Sequence, residues 1–168
     1  NNNAYCQDNE LTWIDWRLLE CSPELVRFVR RLADLRRSRL WLRRDTFLKG
    51  TQRKAGSRDI AWLHPSGREM TEHDWNDASL HCLALHMTGA VDARASEAGD
   101  VLAVFNASAV AVDLVLPDAA HGTAWSMVLD TDQVDGEAKP LVVRCKETLR
   151  LAPRCTVLLE SQQLPAGP

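Results

Sequence analysis

Residues 100–116 read DVLAVFNASAVAVDLVL, and this stretch predicts the fold of the larger part of the chain. Residues 100–106 form an apolar run of strand length, and Asn106-Ala107-Ser108 then supplies turn-forming residues. A second apolar segment runs from Val110 to Leu116, and Pro117-Asp118 ends it. Two short strands joined by a tight turn are typical of antiparallel sheets.

Similar segments continue on both sides of this stretch. Upstream, a short apolar segment at residues 59–63 precedes the turn His64-Pro65-Ser66-Gly67, and Thr71 has the character of a capping box for a helical turn near Trp75. Further strands are predicted at Leu80–Met87, Ala124–Leu129, Glu147–Leu151 and Thr156–Leu159, the last two as a hairpin. Short strands with turn signals between them predict a mainly β fold, an antiparallel β-sandwich.

The first third of the chain has a different composition. Residues 1–58 hold 13 Lys and Arg against 7 Asp and Glu, a balance of +6, whereas residues 59–168 hold 7 against 16, a balance of −9. A change of this size within one chain predicts two structural units, residues 1–58 and residues 59–168. Residues 47–57 are polar and contain two glycines, which predicts a loop between the units.

A single helix is predicted in the first unit. Ser22 and Pro23 form a start signal, and apolar side chains then recur at helical spacing up to about Leu40–Leu42. Arginines occupy most of the other face. We interpret them as a solvated basic face; contact with a partner domain and binding of nucleic acid are the alternatives, and acidic residues within the segment disfavour nucleic acid.

The sequence lacks the usual signatures of catalysis. There is no G-x-S-x-G elbow and no glycine-rich phosphate loop. The five cysteines are an odd number without a C-x-x-C pair, which favours reduced thiols, hence a cytoplasmic protein, over disulfides or zinc. His81 and His86 would point to opposite faces of a strand. We therefore expect no metal and no cofactor, and the absence of a long apolar run predicts no membrane span.

The opening segment NNNAYCQDNELTWIDW, residues 1–16, is rich in amides, acids and aromatic rings. Side-chain amides donate and accept hydrogen bonds at once, and aromatic rings offer flat apolar faces, so this mixture suits sugars. The alternative is that the amides cap turns and the tryptophans fill a core. Because such a polar run is costly to order by itself, we expect this chain to begin within a larger enzyme.

This opening segment closely resembles the one that follows the last barrel strand in bacterial glycogen debranching enzymes, which belong to the isoamylase branch of the alpha-amylase clan. The segment DIAWLHPSGREMTEHDWND, residues 59–77, resembles the start of the C-terminal β domain of the same enzymes. The motifs cover roughly residues 1–90 and occur in the same order as in that family. Beyond residue 90 only the strand pattern agrees.

The resemblance implies a parent enzyme that hydrolyses α-1,6 branch linkages in glycogen or branched maltodextrin, with its active site on a (β/α)8 barrel. Residues 1–58 would be the remnant of that barrel, its last loop and helix, and residues 59–168 the C-terminal sandwich. The family's catalytic motifs are absent, so no residue of this chain is expected to be catalytic and the chain alone is expected to be inactive. The loop residues expected to line the substrate cleft are Asn2, Asn3, Tyr5, Gln7 and Asp8.

Residues 59–168 taken alone are expected to be a structural support for the missing barrel. The alternative is a non-catalytic module that binds glucan. A binding module would align two or three aromatic side chains on one exposed face, and the candidates are Trp62, Trp75 and Trp125. Burial of these tryptophans in the core is the competing expectation.

Overall fold

A computed structural model describes residues 5–43, 47–50, 58–89 and 99–164 of the chain. The N-terminal part of these residues is helical and the rest consists mainly of strands. Within them, no helix is long and apolar enough to cross a membrane. The mainly β fold class predicted from the sequence is confirmed.

Two antiparallel sheets are formed in the described residues. The larger sheet has the strand order β1-β2-β3-β8-β5-β6 and the smaller one pairs β4 with β7. The strands are β1 Ile60–Leu63, β2 Cys82–Met87, β3 Val101–Asn106, β4 Val112–Val115, β5 Ala124–Asp130, β6 Val142–Arg144, β7 Thr148–Leu151 and β8 Cys155–Gln162. Strand β6 has no counterpart among the sequence predictions, because it is only three residues long.

The main core lies between the two sheets. Alternate residues of β3 and β8 project from the large sheet toward Leu114 of β4 and toward Leu149 and Leu151 of β7, and all of these side chains are buried. Trp125 lies in the same core, where its indole N–H donates to the carbonyl of Pro117 at 2.9 Å. A buried indole needs such a partner, so this tryptophan is a core residue.

The predicted hairpin at the end of the chain is wrong. β7 pairs with β4 in the small sheet, whereas β8 lies between β3 and β5 in the large sheet, so the turn at residues 152–154 carries the chain from one sheet to the other. Arg154 has a left-handed backbone there (φ 51°), and its N–H donates to Ser108 at 3.0 Å. In both strands the apolar side chains face the core. Their alternation of apolar and polar residues is therefore compatible with a hairpin and equally with strands in two different sheets.

The helical part contains α1, Leu18–Cys21, and α2, Pro23–Ser38. The expected extension of α2 to Leu40–Leu42 is wrong, because Arg39 adopts an extended backbone and a 3-10 turn follows at Leu40–Leu42. Ser22 occupies the predicted N-cap position, but its side chain makes no capping hydrogen bond. The helix begins instead with the favourable geometry of Pro23 at its first position.

The segment after α2 contacts the outer face of the large sheet. Glu160 of β8 accepts hydrogen bonds from the Arg39 guanidinium at 2.5 Å and from the Trp41 indole N–H at 3.1 Å. In the sheet register Glu160 lies beside Val101, and both Trp41 and Val101 are buried. The large sheet is therefore covered on both faces along part of its length.

A buried carboxylate connects four segments of the sandwich. Asp100, directly before β3, accepts backbone N–H donors from Gly89 and Ala120, and the ring of His121 lies 2.9 Å from its Oδ1. The backbone of Asp100 exchanges hydrogen bonds with Ser161 of β8. One fully buried acid thus fixes the ends of β2, β3 and β8 relative to the loop that precedes β5.

The environment of Asp100 favours its ionised form. Burial by itself would raise the pKa of the carboxyl, but the neighbouring rings of His86 and His121 and the N–H donors outweigh burial and hold that pKa well below its usual range. Since the folded-state pKa is depressed, this carboxylate stabilises the fold above the unfolded-state pKa of about 3.9. The stabilisation is lost as the pH falls from there through the folded-state pKa.

We expect Asp100→Asn to lower the free energy of unfolding at pH 7 by about 2–3 kcal/mol, because hydrogen bonds to a charged acceptor are lost. Urea unfolding at several pH values measures this. The difference from the wild type should shrink as the pH falls from about 5 toward 2. The control is Asp113→Asn, which removes an exposed ion pair with Arg150 and should change stability by less than about 1 kcal/mol. Equal effects of the two variants would contradict the role given to Asp100.

Candidate functional site

The opening loop holds three of the five predicted cleft residues. Tyr5, Gln7 and Asp8 lie in it and are exposed, whereas Asn2 and Asn3 lie outside the described residues. Tyr5 and Cys6 both have left-handed backbones, with φ of 49° and 62°. Two successive non-glycine residues in this region are uncommon and strained, and such strain often marks functional loops.

Internal hydrogen bonds close this loop. Asp8 Oδ1 accepts from the indole N–H of Trp13 at 2.6 Å, and the hydroxyl of Thr12 donates to the carbonyl of Gln7 at 2.9 Å. Asn9 Oδ1 accepts from the N–H of Leu11 at 3.0 Å. Asn9 therefore stabilises a turn, as the alternative interpretation expected. The aromatic rings of Tyr5, Trp13 and Trp16 remain exposed.

Helix α2 contacts the sandwich through its basic side and the edge of its apolar side. Arg31 donates to the carbonyl of Val128 at 3.3 Å, and Arg27 lies 3.7 Å from the carboxylate of Asp135. The ring of Phe28 packs so closely on Gly136 that a Cβ there would lie 2.8 Å from it. Arg31 thus contacts the sandwich, whereas Arg27 stays 53% exposed beside Asp135. Arg30, Arg36 and Arg37 are exposed, as a solvated basic face predicts.

Part of the apolar face of α2 is exposed. Leu25, Val29 and Leu32 keep 56%, 56% and 38% of their surface exposed. These three side chains lie within one narrow sector of the helix, as residues three, four and seven positions apart do. These three side chains form an exposed apolar stripe that the described part of the sandwich does not cover.

The three candidate tryptophans of the sandwich separate into two groups. Trp125 is in the core, but Trp62 and Trp75 are 42% and 53% exposed. Their ring centroids lie 5.8 Å apart with an interplanar angle of 79°, an edge-to-face pair. The expectation that all three fill the core is wrong for these two, which we call the tryptophan pair.

A hairpin brings the tryptophan pair together. Trp62 lies on β1, and the turn at residues 64–67 returns the chain so that the N–H of Met70 donates to the Trp62 carbonyl at 2.8 Å. Gly67 makes this turn with φ of 84°, where a Cβ would lie 3.0 Å from the carbonyl oxygen of Val115. The chain then enters α3, Glu72–Trp75, and its last residue meets Trp62.

An ion pair anchors α3 to this hairpin. Both guanidinium nitrogens of Arg68 donate to the carboxylate of Asp74, at 2.5 and 2.7 Å, and Asp74 also accepts from the N–H and the hydroxyl of Thr71. The predicted capping box is thereby confirmed, with Asp74 as its acidic member. The Arg68 guanidinium, with the Thr71 donors, holds the pKa of Asp74 well below its usual range.

In the described part of the chain, the displaced carboxyl pKa values do not indicate a general acid. The four carboxyls with clearly displaced pKa values are all displaced downward: Asp15 chiefly by the Arg17 side chain, Asp74 by Arg68, Asp77 by the Ser79 hydroxyl, and Asp100 by its histidine neighbours against the opposing effect of burial. A general acid of a glycosidase needs a raised pKa.

The two most buried thiols are not activated, and the described residues form no metal-binding group. Burial raises the pKa of the Cys82 thiol to about 11, and burial raises that of Cys155 as well, so neither is a nucleophile at neutral pH. In the part of the chain that the structure describes, no three His, Cys, Asp or Glu side chains are grouped to hold a metal ion.

The described residues thus form an antiparallel β-sandwich to which a helical segment is attached. The family model described as "Isoamylase, C-terminal" matches residues 59–156, more than half of the chain. The chain therefore belongs to the isoamylase C-terminal family, and the resemblance noted in the sequence is confirmed.

Curated relatives extend this similarity over nearly the whole chain. The "Glycogen operon protein GlgX homolog" of Mycobacterium tuberculosis strain H37Rv is 38% identical over 167 residues, which is 95% of this chain and 23% of the relative. The "Glycogen debranching enzyme" of Klebsiella pneumoniae strain MGH 78578 is 33% identical over 118 residues, 70% of this chain and 15% of the relative. That of Pectobacterium carotovorum strain PC1 is 31% identical over 156 residues, 88% of this chain and 20% of the relative. The chain thus spans less than a quarter of these relatives.

We expect Asp74→Ala to separate the tryptophan pair, because it removes both the helix cap and the anchor of Arg68. The exciton couplet of two contacting indoles in the far-ultraviolet circular dichroism spectrum measures this, and it should disappear. The control is Asp77→Ala, which removes only the turn formed with Ser79 and should keep the couplet. A couplet that survives in Asp74→Ala would show that the ion pair does not position Trp75.

Proposed function

We propose that this chain is the C-terminal part of a glycoside hydrolase that cleaves α-1,6 branch linkages of glycogen or limit dextrin. The observation that carries this proposal is the identity, along most of the chain, with a curated glycogen operon protein GlgX homolog and with curated glycogen debranching enzymes. The catalytic carboxylates of such an enzyme would belong to the remainder of the protein. The chain itself would then contribute to substrate contact and stability, and would not hydrolyse glucan alone.

The exposed stripe of α2 supports a division into two units, residues 1–58 and 59–168. One side of the helix is seated on the sandwich through Arg27, Phe28 and Arg31, while Leu25, Val29 and Leu32 face outward. Exposure of three large apolar side chains on one side of a helix is unfavourable, since none of them gains the full free energy of transfer from water to an apolar environment. In the proposed enzyme this stripe packs on the barrel, and α2 is the barrel's last helix.

The opening loop has the chemistry expected of a cleft wall. Its strained turn at Tyr5 and Cys6 presents an exposed aromatic ring, and the Asp8–Trp13 hydrogen bond fixes a carboxylate beside an indole. Aromatic faces and oriented polar groups are what a sugar requires. In the proposed enzyme Asn2, Asn3, Tyr5, Gln7 and Asp8 line the branch-point cleft at the C-terminal face of the barrel.

The cleft assignment is tested in a chimera in which this chain replaces the matching segment of the M. tuberculosis relative. We expect Tyr5→Ala or Asn3→Ala to lower kcat/KM for branched maltodextrin by about tenfold, a loss of about 1.4 kcal/mol of transition-state stabilisation. Released reducing ends measure the rate, and thermal unfolding confirms that the fold is intact.

Two controls accompany this measurement. Val134→Ala, an exposed position on the sandwich, should leave kcat/KM unchanged, and the 168-residue chain alone should release no reducing ends. Unchanged kinetics in both Tyr5→Ala and Asn3→Ala would remove the cleft assignment. Hydrolysis by the chain alone would show that catalytic carboxylates lie within it.

The packing of α2 is tested by Val29→Gln. In the 168-residue chain this exposed substitution should change the free energy of unfolding by less than about 0.5 kcal/mol. In the chimera it should cost about 1–3 kcal/mol, because an amide is buried without a partner. Arg30→Gln, at an exposed position about 100° further round the helix from Val29, is the control and should be neutral in both proteins. Equal effects of Val29→Gln in chain and chimera would show that nothing covers the stripe.

A further inference from the structure

We propose that the tryptophan pair, Trp62 and Trp75, is a binding site for an α-1,4-linked glucan chain on the β-sandwich, apart from the opening loop. This inference rests on the proposed function only for the class of ligand, a glucan. The site itself is argued from the geometry of the sandwich. It gives residues 59–168 a binding role beside their supporting role.

The first argument is that two large indoles are exposed on the surface, although the domain has a core that buries a third. The same domain buries Trp125 completely, yet leaves 42% of Trp62 and 53% of Trp75 in contact with solvent. Trp62 projects from the edge strand β1 on the face opposite the main core, because its neighbour Leu63 points inward. A paired exposed aromatic surface of this kind marks a site of interaction.

The second argument is that the pair is held rigidly. The backbone of Trp62 is fixed by ladder bonds to β2 and by the Met70 N–H, and Trp75 ends a helical turn anchored by Arg68 and Asp74. The edge-to-face contact then fixes the rings against each other. A ligand that stacks here immobilises few side chains, so most of the contact free energy appears as affinity.

The third argument concerns the shape of the pair. Two rings with an interplanar angle of 79° form a nearly right-angled corner, in which a ligand can stack on one indole and contact the other at its side. Glucose rings expose C–H groups on their faces and hydroxyls at their edges, so they stack on aromatic floors. An α-1,4-linked chain curves from one residue to the next and fits a corner, whereas an extended β-1,4-linked chain fits a flat row of rings.

The fourth argument concerns charge. Two ion pairs lie in the hairpin that carries the pair, Arg68 with Asp74 and Arg58 with Glu69 at 3.6 Å, and the exposed carboxylates of Glu72 and Asp77 add negative charge beside them. A phosphate-bearing ligand requires unbalanced positive charge, which these partners remove. Half-exposed guanidinium and carboxylate groups still offer hydrogen bonds to sugar hydroxyls. The surface therefore favours a neutral ligand rich in hydroxyls.

A third exposed aromatic side chain extends the surface. Trp62 lies beside Leu85 in the sheet, Leu83 lies beside Phe105, and Leu83 and Leu85 share a face. Phe105 is 40% exposed on that face, two strand spacings and two residues from Trp62, roughly 12 Å away. A bound chain would thus cross several strands of the large sheet.

The test is affinity electrophoresis of the 168-residue chain through gels containing glycogen, with calorimetry using maltoheptaose. We expect retardation by glycogen and weak binding of maltoheptaose, and no binding of cellohexaose. Trp75→Ala should weaken binding at least about tenfold, and Trp75→Phe should recover part of the loss. Phe105→Ala should weaken glycogen binding by a smaller factor. Unchanged thermal unfolding shows that each variant is folded.

Trp16→Ala is the matched control, since Trp16 is also exposed but lies in the opening loop. It should leave binding by the chain unchanged. Absence of any glucan binding would overturn the inference. Binding that is lost in Trp16→Ala or Tyr5→Ala but kept in Trp75→Ala would also overturn it, while supporting the cleft assignment. The kinetics of the chimera test the proposed function separately.

Discussion

The buried carboxylate of Asp100 is the contact on which the arrangement of the sandwich depends. It lies at the start of β3 and accepts N–H donors from the segment after β2 and from the loop before β5, while its backbone is bonded to Ser161 of β8. Burying a charge is unfavourable unless hydrogen bonds compensate for it, and here several do. The same contact holds His121 at 2.9 Å and His86 at 3.6 Å, and the His86 ring packs edge-to-face against Trp125 in the core. The hydrogen-bonded carboxylate of Asp100 is thus connected to the apolar core through the ring of His86.

The two faces of the large sheet make different contacts. Its inner face meets the small sheet and builds the main core. Its outer face is covered near β8 by Arg39 and Trp41, which share Glu160, and carries the tryptophan pair near β1. One sheet therefore connects the helical segment at one end to an exposed aromatic surface at the other. Under the two proposals, one domain would both support a neighbouring catalytic domain and hold a glucan chain.

The helical segment is attached through polar contacts and through the rings of Phe28 and Trp41, and it leaves its apolar stripe exposed. Arg27, Arg31 and Arg39 each reach a partner on the sandwich, at Asp135, Val128 and Glu160. Such polar contacts fix the orientation of the helix, but they contribute only modestly to the free energy of folding when they are partly exposed. Apolar burial contributes more, and the stripe of Leu25, Val29 and Leu32 keeps that contribution for another surface. The orientation of α2 is consistent with a helix that joins two domains.

The sequence by itself determined the local structure of this protein. The strand DVLAVFN, the turn at residues 64–67, the cap at Thr71 and the Pro23 helix start all follow from short-range patterns, and each is present. The family was also recognisable from two segments. The tertiary structure alone decided which strand β8 joins, which side of α2 meets the sandwich, and that Trp62 and Trp75 meet on the surface while Trp125 is buried. The reason is that alternation and capping are properties of neighbours in the chain, whereas partner choice depends on contacts between residues far apart in sequence, such as Asp100 with Ser161.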